Sequence, residues 1–113
     1  MVKDKKPEQA KECGCFTAPH AHRATVKELG MDEQYREVSI LICTYCGQRW
    51  LRVHDEVEGF TASGRWCLGA ITAEQASLLT AQNAKATLEG LPWYFYGGSY
   101  FDGRVGRASG TIW

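Results

Sequence analysis

The sequence has no net charge, no long apolar run and no even count of cysteines, and each absence removes a class of function. Thirteen Lys and Arg residues balance thirteen Asp and Glu. A chain without a basic excess is a poor match for bulk duplex DNA or an anionic membrane, since both draw on positive charge. No apolar stretch approaches the ~20 residues that cross a bilayer as a helix. Residues 1–7 hold lysines with no apolar core behind them, so they do not read as a secretory signal, and the expected setting is cytoplasmic. Five cysteines cannot all pair. In a reducing compartment thiols serve metals or catalysis more often than disulfides.

What is present describes a small globular chain. Its 113 residues are 44% apolar and 23% charged, enough for one domain with a modest core and too few for two. Residues 1–12 carry lysines and acids without an apolar pattern and are expected to form a flexible tail. Residues 13–113 are expected to form one zinc-stabilised domain, with a metal-binding part at 13–60 and a helix plus C-terminal strands at 61–113.

The cysteines carry the strongest signal. Cys13 and Cys15 form a C-x-C, Cys43 and Cys46 a C-x-x-C, and Cys67 stands alone. Two close pairs on separate turns suit a tetrahedral zinc site, so Cys13, Cys15, Cys43 and Cys46 are the expected ligands of a structural Zn2+. The second pair reads Cys43-Thr-Tyr-Cys46-Gly47, between Val38, Ile40 and Ile42 on one side and Trp50, Leu51 and Val53 on the other. Such flanks place the pair at a hairpin tip. Gly47 supplies the positive φ that lets backbone N–H groups turn toward the sulfurs. The arrangement over residues 13–54 resembles the C-x-x-C-G knuckle of zinc ribbons and rubredoxin-like folds. Ribbons more often carry C-x-x-C in the first pair as well, so His20 and His22 stay open as substitutes. Cys67 reads as a small buried hydrophobe.

Two catalytic uses of these cysteines are weaker. A redox C-x-x-C opens a helix whose N-terminus activates the thiolate, whereas Gly47 and the residues after it read as turn and strand. A zinc deaminase needs H-x-E before P-C-x-x-C, but His54-Asp-Glu56 follows the pair and no proline precedes Cys43. Neither a phosphate-binding glycine motif nor a nucleophile elbow is present.

Elsewhere, residues 24–27 read as a short strand followed by a loop, 38–42 as a strand with one buried face, and about 48–57 as its return strand. Trp50 and Arg52 are expected on a solvated outer face. Thr72 and Gln75 form a capping box. Leu78, Ala81, Ala84, Leu88 and Leu91 recur at helical spacing up to Gly90 and Pro92, so one helix is expected. The segment from Trp93 to Phe101 holds six aromatics in nine residues. Alternation puts Trp93, Phe95, Ser99 and Phe101 on one face and Tyr94, Tyr96 and Tyr100 on the other. Either one face is a binding surface, or both are buried beneath the helix and the metal-binding part.

These readings give an α+β fold in which a zinc-ribbon-like β-hairpin joins one α-helix and a C-terminal aromatic, Gly-rich antiparallel β element. The expected function is a non-catalytic, structural-zinc protein-binding module, such as a small bacterial adaptor or toxin-immunity protein. Tyr94, Tyr96 and Tyr100 are the candidate partner contacts, flanked by Arg104 and Arg107. A nucleic-acid-binding ribbon using Arg49, Trp50 and Arg52 is the first alternative. Residues 24–60 hold four basic and seven acidic side chains, which weighs against it. A thiol–disulfide oxidoreductase using Cys43 and Cys46 is the second.

Overall fold

The computed structural model describes residues 14–17, 22–56 and 62–112. The tail at 1–12, Cys13 and His20 lie outside them. Six antiparallel strands follow one another in space as they do in sequence: β1 (Arg23–Met31), β2 (Glu37–Cys43), β3 (Arg49–Asp55), β4 (Arg65–Ile71), β5 (Tyr94–Gly97) and β6 (Gly106–Ala108). Two short helices, α1 (Ala73–Leu78) and α2 (Ala84–Glu89), interrupt the order between β4 and β5. No helix among the described residues is long and apolar enough to cross a membrane.

This corrects the expected α+β fold. The molecule is mostly β, and the hairpin that carries Cys43 and Cys46 is the second and third strand of a six-stranded sheet, not a ribbon appended to a helical part. β3 pairs with β4 from Arg49↔Ile71 to Asp55↔Arg65, so one sheet runs across the boundary drawn at residue 60. β1 extends to Met31, well past the short strand expected, and its register against β2 shifts at two points, between Thr25 and Lys27 and between Glu28 and Gly30. It lies at the sheet edge and is largely exposed on both faces.

The single helix expected between Thr72 and Gly90 is two helices. The capping box at Thr72 and Gln75 forms in both directions, at 2.8 and 3.0 Å. Thr80 and Asn83 then repeat the same exchange: the Thr80 N–H donates to Asn83 Oδ1 at 2.8 Å, and the Asn83 N–H donates to Thr80 Oγ1 at 3.1 Å. Asn83 Nδ2 also donates to the Leu78 carbonyl at 3.0 Å. These side chains take over backbone groups that a continuous helix would pair, and Leu79 is extended. Leu78 is therefore exposed at 69%, and Leu79 takes its place in the core.

The strands alternate, so each face of the sheet receives every second residue. On one face Val38, Ile40, Leu51, Val53, Cys67 and Ile71 meet Leu79, Ala81, Ala84, Leu88 and Leu91 from the helical segment. Gly69, in the middle of β4, makes this packing close, because a Cβ there would collide with the side chains of Leu88 and Leu91. On the opposite face Trp50, Leu68 and Phe95 meet Cys15 and Cys43, with Phe16, Cys46, Trp66 and Trp93 around them. Tyr94 and Phe95 consequently belong to different cores, and both faces of β5 are buried. Ser99, Tyr100 and Phe101 form a 3-10 turn, not a strand.

Candidate metal centre

Local geometry first fixes the two cysteines of the hairpin. β2 ends at Cys43 and β3 begins at Arg49. The Cys43 N–H donates to the Gln48 carbonyl, and the Gly47 N–H donates to the Cys43 carbonyl, both at 2.9 Å. Gly47 sits at φ +82°, a left-handed conformation that side chains rarely adopt. Gln48 Nε2 donates to the carbonyls of Arg49 and Ile71 at 2.8 Å, tying the knuckle to the end of β4. Residues 44–46 are a turn, so no helix N-terminus bears on Cys43.

The third sulfur arrives from far along the chain. Gly14–Phe16 is a 3-10 turn lying over the aromatic face of the sheet, with Cys15 buried. The Sγ atoms of Cys15, Cys43 and Cys46 all lie within 4.8 Å of one another, with Cys15 and Cys46 at 3.6 Å. A divalent ion bound tetrahedrally to thiolates at about 2.3 Å sets its sulfurs about 3.8 Å apart. The Cys15–Cys46 separation is close to that figure, and the soft, all-sulfur donor set suits a thiophilic metal. These three cysteines could therefore hold a metal ion.

The other candidate ligands fall elsewhere. Cys13 and His20 are outside the described residues. His22 is exposed. Its carbonyl accepts from the Thr44 N–H at 3.1 Å, and its ring meets Tyr45 edge-on with centroids 5.3 Å apart. Its ring nitrogens do not join the sulfur cluster. Cys67 lies in the helix-side core, where burial pushes its thiol up to about 12 against the partial offset of Arg36 and Arg65. It is 1% exposed and far too basic a thiol to ionise near neutral pH.

The aromatic candidates separate by depth. Tyr94 is 2% exposed, and its hydroxyl donates to the carbonyls of Gly110 and Thr111 at 3.0 and 3.1 Å. That is an interior packing position, not a contact surface. Tyr96 is half-buried and meets Phe101 at 4.9 Å between centroids. Tyr100 is 56% exposed, with the Arg65 guanidinium 4.7 Å from its ring centroid. Tyr96 and Phe101 line a cleft of about 300 Å³ with Ala108 and Ile112. Arg104 and Arg107 are exposed, and the Arg107 guanidinium lies 4.0 Å from the Trp93 ring centroid. Trp50, expected on a solvated face, is fully buried and is closed off from stacking with a base.

One group escaped the sequence reading. His54 stands between two carboxylates, with Nδ1 3.5 Å from Glu37 Oε1 and Nε2 3.6 Å from Glu56 Oε1. Glu37 is the cross-strand partner of His54, while Glu56 follows two residues later. The spacing to Glu56 was visible in the sequence, but the pairing with Glu37 required the hairpin register. No protein family, curated protein or solved structure matches this chain.

Proposed function

We propose that the chain is a non-catalytic protein-binding module whose fold is held by a structural zinc ion. The observation that carries this reading is the convergence of the Cys15, Cys43 and Cys46 sulfurs within 4.8 Å. Cys13 supplies the fourth thiolate, two residues before Cys15. Four protein ligands close the coordination sphere and leave no position for a reactive water, which makes the site structural. Zinc suits the task because it has no redox chemistry and accepts an all-thiolate tetrahedron.

The partner surface is the aromatic end of the sheet. Tyr100 projects there beside Arg65, and Tyr96 and Phe101 line the adjoining apolar cleft. Arg104 and Arg107 flank it. Large rings with a polar tip bury much area at small entropy cost and dominate protein interfaces. The test is capture of partners from the source lysate by wild-type protein and by Tyr100→Ala. Loss of one specific protein, with an unchanged melting temperature, supports the reading. Identical capture by both proteins contradicts it.

A further inference from the structure

Of the three described cysteines, Cys15 is the one carried outside the sheet hairpin. Cys43 and Cys46 belong to a hydrogen-bonded hairpin, whereas Cys15 lies on a three-residue turn outside the strand ladder. Two arginines from opposite edges of the sheet reach that turn. Arg23, at the start of β1, donates from Nη2 to the Cys15 carbonyl at 2.5 Å, with its guanidinium carbon 4.4 Å from the centroid of the Trp50 ring. Arg107, on β6, donates from Nη2 to the next carbonyl, Phe16, at 2.6 Å, with its guanidinium 4.0 Å from the Trp93 ring. The Phe16 ring in turn packs on Trp50 at 5.4 Å between centroids.

Each guanidinium is thus fixed on one side by an aromatic ring and engaged at its edge by a carbonyl. A planar, permanently charged fork can do both at once, while a lysine ammonium cannot. The two carbonyls are consecutive, so together the arginines fix both the position and the rotation of the turn.

We infer that Arg23 and Arg107 are positioning residues of the metal centre: they hold the Cys15 turn at ligating distance before the metal arrives. The inference rests on the metal-binding reading. Groups that orient ligands without touching the metal commonly contribute substantially to its affinity, because an ordered site gives up less freedom on binding. Arg107 is the sharper test, since its hydrogen bond is to the Phe16 carbonyl and not to Cys15 itself, and it lies 91 positions from Phe16 in sequence.

The experiment measures zinc affinity by competition with a chromophoric chelator for the wild type, Arg107→Ala and Arg107→Lys. Co2+ spectra of the saturated proteins are recorded in parallel. Arg107→Ala is expected to weaken zinc binding by about tenfold or more, while the Co2+–thiolate bands keep their wild-type positions because the same sulfurs bind. Arg107→Lys is expected to stay weak, because it restores the charge without the stacked fork. If Arg107→Ala does not fold, Arg107→Lys carries the measurement alone. Wild-type affinity in the alanine variant, or full recovery with lysine, overturns the positioning role while leaving the metal site standing. A wild type that binds neither ion overturns the metal reading itself, and the inference with it.

Discussion

The sulfurs of Cys15 and Cys46 lie 3.6 Å apart, although 31 positions separate them along the chain. At that distance two thiolates repel, and a cation between them and Cys43 removes the repulsion. The thiols should therefore divide into two chemical groups. In metal-loaded protein at neutral pH, alkylation of Cys15, Cys43 and Cys46 should be slow, and a strong chelator should make it fast. Cys67 should stay unmodified in both states as long as the fold persists, because burial pushes its thiol up to about 12. Mass spectrometry of peptides after timed alkylation reads both outcomes.

Gly69 makes a second prediction, independent of any metal. Gly69→Ala puts a methyl into the space held by Leu88 and Leu91. The helical segment must shift away from the sheet, at a cost of about 2 kcal/mol. Urea unfolding should show a lower midpoint with the slope unchanged.

Asp32 links stability to acid. Its carboxylate forms a 2.8 Å ion pair with Arg36 inside the β1–β2 connection, and both side chains are nearly buried. Burial alone would raise its pKa. The N–H bonds from Arg36 and Gln34 and the Arg36 guanidinium outweigh that and hold it below the usual carboxylate range. On acidification the unfolded chain then takes up this proton first. The stabilisation is complete above the ordinary carboxylate pKa and is lost as pH falls through the lowered one. Asp32→Asn leaves Arg36 with a neutral partner and should cost on the order of 3 kcal/mol at neutral pH. The gap to wild type should narrow in acid, which urea midpoints measured across the acidic range will show.

The tyrosine buried in β5 should behave differently from the one on the exposed turn. Tyr94→Phe removes the donor to Gly110 and Thr111 and should cost about 1 kcal/mol of stability. Tyr100→Ala should leave the melting temperature within error and weaken partner binding by about 2 kcal/mol. Thermal unfolding and binding titration with the captured partner separate the two effects.

The legible parts of this molecule were those with local causes. The β2–β3 hairpin showed itself through Val38, Ile40, Leu51 and Val53, which alternate on a buried face, and the knuckle through Gly47 after Cys46. Only the start of β1 is legible, because an edge strand exposed on both faces leaves no alternation to detect. The helix break was hidden by its own apolar stripe, since Ala81 within the interruption and Ala84 and Leu88 after it are all buried and keep helical spacing. The reciprocal pair Thr80 and Asn83 was the available signal, a second copy of the Thr72 and Gln75 pattern. The sequence alone places Trp50 outward, because nothing near it along the chain covers it. Its cover comes from Arg23, Phe16 and the Cys15 turn, contacts that only the folded chain brings together.

The most direct test of the structural-zinc account is metal content, measured on protein purified under reducing conditions, beside Cys43→Ser. The account predicts about one equivalent of zinc per chain in the wild type. It predicts loss of that zinc in Cys43→Ser with a drop of several kcal/mol in stability, because metal binding at such sites is coupled to folding. It also predicts unfolding of the wild type by a strong chelator. Metal-free wild-type protein that is fully folded, and whose melting temperature responds neither to chelator nor to added zinc, would contradict it.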